Sequence, residues 1–428
     1  MIITVTLTIL LALLLLSVPV AAALIALGLS IGKIFSDFPL YRAIGEISWS
    51  ASTDFLLLSI PLFVMLGEIL LRAGIAAKTY NALNKWLSWL PGGLLQANIG
   101  TSALFAATSG SSVATAATIT TVALPQGRLY NYSEKLFAGS IAAGGTLGIL
   151  IPPSINLIVY GFLTNTSIPR LFLAGIVPGI LLAILFMLCI GIACFVNPKL
   201  SGGKQKATWQ ERFDSLKDLI PVLIIFVVVI GSIYAGLATP TESAALGVLA
   251  SLLLAFRYRA VSIDFFKQVF EGTMRTSSMI MLILISANFL NFILDSIGLA
   301  EMLNEFVTNL GASPLNTLLV VIALYIVLGF FVETLSLMVI TIPIVAPILV
   351  NMGYDPIWFG ILLILLIEMA LITPPVGLNL YVVQGVRRTG SITDVMIGAA
   401  PFVVMIAIMI VLLIIFPEIA LYCTQFVN

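Results

Sequence analysis

Histidine is absent from this sequence of 428 residues. With it go the commonest general base, the usual haem ligand and the usual zinc ligand, so hydrolysis by a serine–histidine pair is excluded. Cysteine is scarce. Cys189, Cys194 and Cys423 lie in or beside apolar segments, with neither disulfide nor metal spacing. Charged residues make up only 9% of the chain and the net charge is zero, so nothing points to nucleic acid. No GxxxxGK(S/T) phosphate loop occurs; Gly202, Gly203 and Lys204 stand without the rest of that pattern. No enzyme activity and no organic cofactor are expected.

What fills the chain instead is hydrocarbon. Hydrophobic residues occupy 61% of positions and the mean hydropathy is +1.18, far outside the range of soluble domains. This composition predicts an all-α polytopic membrane protein in contact with the lipid bilayer. At about 20 apolar residues per crossing there is room for roughly ten spans. The opening run Ile2 to Ile31 carries no basic leader, and is expected to be one retained helix.

Two apolar stretches are each broken by Pro-Pro followed by an asparagine. One reads GTLGILIPPSINLIVYG, with Pro152, Pro153 and Asn156; the other reads EMALITPPVGLNLYVV, with Pro374, Pro375 and Asn379. Proline brings no N–H and clashes with the preceding turn, so each pair frees carbonyls from helical bonding. In hydrocarbon that is tolerated only where protein covers the carbonyls or where they line a wet cavity, and matched breaks in two halves mark a transport site.

A shift of about 223 residues aligns the halves in order: Gly74 to Ala76 with Gly298 to Ala300, Pro152 with Pro374, Ile168 with Ile392, Pro178 with Pro401. Loop charge then separates the copies. The basic loop with Arg72, Lys78 and Lys85 corresponds to one with Asp295, Glu301 and Glu305, and Arg128 to Lys135 corresponds to the neighbourhood of Asp355. Lysine and arginine favour the cytoplasmic side, so the copies are expected to be inverted. The first repeat is 1–196, with a hairpin about 94–124 and a broken helix about 136–163. A cytoplasmic linker, 197–218, leads to the second repeat, 219–428, with a hairpin about 318–350 and a broken helix about 357–386. The stretch Leu219 to Phe256 is split at Thr239 to Thr241. On this path only Lys33, Arg42 and Arg170 of the nineteen basic residues lie outside.

Each hairpin carries a polar middle: Thr108, Ser109, Gly110, Ser111 and Ser112 in the first, Gly329, Glu333, Thr334 and Ser336 in the second. A hydroxyl-rich tip facing freed carbonyls offers an all-oxygen cage suited to a small hard cation such as sodium. Half-helices starting near Ser112 and Thr334 present a positive dipole end to an anion, and the amides of Asn156 and Asn379 are placed to bridge tip and break.

The runs LPGGLLQANIGTSALFAATSGSSVATAATI, GGTLGILIPPSINLIVYG, GLATPTESAALG and ITPPVGLNLYVV together resemble the large membrane subunit of the tripartite ATP-independent periplasmic (TRAP) transporters, over nearly the whole chain. The resemblance implies a sodium-driven elevator that imports an organic acid (a C4-dicarboxylate, a sugar acid or sialic acid) across a bacterial or archaeal cytoplasmic membrane. A small four-helix membrane subunit and a soluble periplasmic binding protein are the implied partners. The first sodium site falls by resemblance on Ser109, Gly110 and Ser111 with Gly148, Ile151 and Pro153. The second falls on Gly329, Glu333 and Thr334 with Thr373 and Pro375; sodium is the only metal implied. Ser112, Ser154, Asn156, Gly377 and Asn379 are the expected substrate contacts. A proton-coupled or uncoupled anion carrier of the same architecture is the alternative.

Blander readings stand beside these. A Pro-Pro pair can be a packing kink, and the small-residue run Ser109 to Ala117 can be a close helix contact. Glu68, Glu242, Glu333 and Glu368 are acids in apolar context, of which Glu68 and Glu242 fall near span ends. The amphipathic stretches Tyr41 to Asp54 and Phe265 to Ser277 read as interfacial scaffold helices.

Overall fold

The computed structural model describes residues 2–16, 18–203, 207–299, 302 and 313–426, and these are all-helical apart from turns and loops. Ala300, Glu301 and Glu305, used above to compare the halves, lie outside the described residues, as do Lys204 and Lys206 of the linker. The opening run is two helices rather than one: α1 (Ile2–Leu15) stops before Pro19, which serves as the N-cap of α2 (Val20–Phe35). The missing N–H of proline is harmless at a helix start and disruptive inside, so the chain breaks there. A 3₁₀ turn (Leu40–Ala43) and α3 (Ile44–Ser52) follow. Helices α4 (Ser59–Arg72) and α5 (Ile75–Leu87) meet at 70° about Gly74, whose φ of +69° is left-handed and requires glycine.

The first hairpin is α6 (Leu94–Ser109) and α7 (Ser112–Leu129); the first broken helix is α8 (Glu134–Thr146), a 3₁₀ turn (Leu147–Ile149) and α9 (Ile155–Thr164). Then α10 (Ile168–Val196) runs 29 residues. The linker is shorter than expected, because α11 (Trp209–Tyr234) starts within it on a Thr208–Glu211 capping box. A second capping box, Thr239–Glu242, starts α12 (Pro240–Arg257). Glu242 thus has a cap to explain it, and the split at Thr239 stands. Phe265 to Ser277 is no separate interfacial helix. It belongs to the unbroken α13 (Ile263–Ser296), since its amphipathic pattern continues without a stop signal.

The second hairpin, α14 (Pro314–Gly329) with α15 (Thr334–Asn351), the second broken helix, α16 (Pro356–Leu371) with α17 (Leu378–Arg387), and α18 (Ile392–Ile415) repeat the element order of α6 to α10. A short α19 (Glu418–Leu421) follows. Hairpin arms are longer than the apolar runs implied; α15 is long and apolar enough to cross a membrane by itself. Five helices meet that test among the described residues, α10, α11, α13, α15 and α18.

Apolar side chains sit on the outside as well as the inside. Along α10, Ile180, Ile184, Leu188 and Ile192 are exposed at four-residue spacing while Leu182, Phe186 and Ile190 are buried. That is a lipid-facing stripe. By contrast α8 from Leu136 and α16 from Ile357 are buried on every side, so the leading arms of the two broken helices form the centre of the molecule. Around them pack α6, α7, α10, α14 and α18, while α2, α4, α11, α12 and α13 pack on one another as a flanking layer. The tightest central crossing is α8 on α18: a Cβ added to Gly398 would fall on the Lys135 carbonyl, and one on Gly139 would fall on the backbone of Gly398. Gly398→Ala should therefore cost about 3 kcal/mol of stability through overpacking, read as a lowered midpoint of thermal unfolding in detergent. Gly45→Ala, with nothing within 4 Å of the added carbon, should leave the midpoint unchanged.

Candidate functional site

At the first break the α-helix tightens before it stops. Pro152 and Pro153 have no N–H for the carbonyls of Gly148 and Ile149, and the Leu150 amide turns to the Leu147 carbonyl in a 3₁₀ bond of 3.3 Å. Hydroxyls take up the freed acceptors. Ser154 Oγ donates to the Ile149 carbonyl at 2.5 Å, and Ser112 Oγ, from the opposing tip, donates to the Thr146 carbonyl at 3.2 Å. Tip and break therefore share hydrogen bonds.

The tip reverses through Gly110, φ +59°, where a side chain would meet the Pro153 carbonyl at 3.0 Å. A Cβ on Gly148 would lie 2.7 Å from the Ser111 carbonyl. Both glycines are there so that two backbones can touch. Ser109 Oγ and Thr115 Oγ1 are 2.8 Å apart, Thr115 Oγ1 donates to the Ser111 carbonyl at 2.7 Å, and Ser111 Oγ caps α7 by accepting from the Ala114 amide. Of the expected first-site residues, Ser109, Gly110, Ser111, Gly148 and Pro153 come together. Ile151 turns its side chain the other way, toward Gly179 of α10, leaving only its backbone near the break. Thr115, Thr146 and Gly67, where an added Cβ would lie 3.2 Å from the Ser109 carbonyl at the back of the tip, were not anticipated. Only Thr115 carried a signal, one helical turn beyond Ser111.

The second half repeats the chemistry in a more open form. The Thr373 amide turns to the Ala370 carbonyl at 3.4 Å and Thr373 Oγ1 donates to Met369 at 2.5 Å. Glu333 is the N-cap of α15: Oε2 accepts from the Ser336 amide and hydroxyl, each at 3.0 Å, and Oε1 accepts from Thr334 Oγ1 at 2.9 Å. Gly329 packs on Ala370 of the broken helix. Gly377, at φ +53°, starts α17, and a side chain there would crowd the Thr373 carbonyl at 3.1 Å. Pro374, Pro375 and Val376 are exposed, whereas the whole first break is buried.

The trailing arms of the broken helices change sides. α9 packs on α15 and α16, where Tyr160 donates to the Pro356 carbonyl at 2.5 Å, while α17 packs on α7 and α8. Asn379 Nδ2 accordingly donates to Ala142 of α8 at 3.1 Å, leaving Oδ1 buried without a protein partner; Nδ2 of buried Asn156 likewise has none. Beside the first tip, a cavity of about 50 Å³ is bounded by Gly67, Glu68, Ser109, Ser111, Ile155 and Thr276. It has room for a water or a small ion and none for an organic acid. Glu68 itself pairs with Arg72 at 3.3 Å.

A matched pair of hydroxyl tips and proline breaks at the centre of a lipid-faced helical body is the arrangement of a carrier. Residues 7–419 match the family described as tripartite ATP-independent periplasmic transporter, DctM component. The chain belongs to this family. The C4-dicarboxylate TRAP transporter large permease protein DctM of Pseudomonas aeruginosa is 34% identical to it, over 87% of this chain and 87% of that one. The sialic acid TRAP transporter large permease protein SiaM of Vibrio cholerae is 32% identical, over 94% of this chain and 92% of that one. Among solved structures, the YdaH transporter of Alcanivorax borkumensis has the same fold, with a TM-score of 0.61 and 16% identity over 95% of this chain and 98% of that one. The DctM-family chain is thus a multi-pass membrane protein whose relatives are permeases. Gly148→Ala, by forcing Ser111 off the break, should lower the uptake rate on the order of a hundredfold in proteoliposomes, with the folded protein still monodisperse on gel filtration.

Proposed function

We infer that the chain is the large permease subunit of a sodium-coupled importer of a small organic acid in a bacterial or archaeal cytoplasmic membrane. The two halves, 1–196 and 219–428, are inverted repeats. Each supplies one sodium site, Ser109 to Ser111 against Gly148 to Pro153 and Gly329 to Thr334 against Thr373 to Pro375. Ser112, Ser154, Asn156, Gly377 and Asn379 face the carboxylate. The observation that carries this reading is the first tip docked on the first break, where serine, threonine and main-chain oxygens converge within hydrogen-bond distance of one another. Oxygen-only ligands suit a hard monovalent cation.

The central body of α6 to α10 and α14 to α18 is the moving part, sliding against α2, α4 and α11 to α13 as an elevator. The exposed apolar stripes remain available to lipid and to a separate small four-helix subunit. A periplasmic binding protein delivers the cargo. The named relatives that carry C4-dicarboxylates and sialic acid point to a carboxylate cargo. A second reading, proton coupling, has one observation in its favour: Glu368 of α16 is fully buried and neither carboxyl oxygen has a protein partner.

Uptake into proteoliposomes holding both membrane subunits, with binding protein and carboxylate outside, decides between them. A sodium gradient should drive accumulation and a proton gradient alone should not. Ser109→Ala and Thr373→Ala should each raise the sodium concentration for half-maximal uptake roughly tenfold, the effect of losing about 1.4 kcal/mol of binding. Unaltered sodium dependence in both variants would remove the site assignment, and uptake driven by protons without sodium would favour the second reading.

A further inference from the structure

Away from the oxygen clusters, the halves are joined a second time. Arg387, the last residue of α17, is 3% exposed, and its Nη2 pairs with Glu134 of α8 and lies 3.7 Å from Asp394 of α18. Its Nε and Nη1 have no protein partner, so this buried cation depends on those two carboxylates. Lys135 joins Asp394 at 3.2 Å. Arg128, at the end of α7, lies 3.9 Å from Glu134 and donates to Thr389 and to the Arg387 carbonyl. One cluster therefore fastens the base of the first hairpin, the start of the first broken helix and the end of the second.

The other tie on the same helix pair is Asn379 to Ala142. From Asn379 to Arg387 is eight residues, and from Glu134 to Ala142 is also eight. At 1.5 Å per residue each span is about 12 Å, so two antiparallel helices are pinned at two matched rungs. α8 leads into the first break and α17 leads out of the second. We propose that Arg387, held by Glu134 and Asp394, is a positioning residue that locks α17 to α8 so that an ion ordering one break also orders the other. This rests on the sodium reading given above.

Sodium titration of uptake in the assembled transporter should be sigmoidal in the wild type, with a Hill coefficient approaching about 2, the number of sites. Arg387→Gln should bring it near 1 and raise half-saturating sodium roughly fivefold, with Arg387→Lys between the two. Glu134→Gln, which alters a half-exposed acid, should shift both quantities in the same direction and serves where Arg387→Gln fails to fold. Hydrogen exchange at the amides of 109–115 should quicken in Glu134→Gln and stay at the wild-type rate in Lys217→Gln, which breaks a surface pair on α11. A hyperbolic wild-type titration, or wild-type cooperativity and tip protection in the variants, overturns the coupling. Wild-type uptake indifferent to sodium overturns the sodium reading instead; the clamp is then decided by exchange alone, faster at 109–115 supporting it and unchanged rejecting it.

Discussion

Everything in this molecule answers to one constraint: a carbonyl released from a helix inside hydrocarbon must find a donor within the protein. Two Pro-Pro pairs create such carbonyls, and the surrounding chain is arranged to meet them. Ser154 answers Ile149, Ser112 answers Thr146 and the Thr373 amide answers Ala370. Because the donors in part come from another segment, satisfying the backbone also fixes the tertiary structure. The first hairpin is held against its broken helix by the same groups that make the place polar.

The exchange of trailing arms extends that logic across the halves. Had each broken helix packed only within its own repeat, two separate sites would have formed in two bodies. Instead α9 rests on α15 and α16 while α17 rests on α7 and α8. The glycine crossing at Gly139 and Gly398, where backbones meet without an intervening side chain, adds a further bond between the first half and the second. The central body is consequently interwoven.

Much of this could be read from the residues. Pro-Pro breaks, hydroxyl tips and the offset of about 223 residues depend on residue types with few uses in an apolar span, and they placed α6 to α9 and α14 to α17 within a few residues. The division of the opening run at Pro19 escaped because the apolar count on both sides hid it. Phe265 to Ser277 escaped because an amphipathic helix lying flat and the end of a long helix share one periodicity. Glu242 had its cap written in sequence as Thr-x-x-Glu. The exchange of arms, Thr146 as an acceptor and the burial of Arg387 arise from contacts distant in sequence, which no local pattern encodes.

The hydroxyls of the first tip bear on how a polar turn is kept inside an apolar body. Ser109, Thr115 and the Ser111 carbonyl lie in series at hydrogen-bond distance. A hydroxyl can give its proton to a neighbour and keep lone pairs for a cation. Each hydroxyl in the series thus has a partner inside the tip while retaining lone pairs that point elsewhere. The turn therefore keeps its polar groups satisfied in apolar surroundings with its own side chains and carbonyls, and needs no donor from lipid or from another chain.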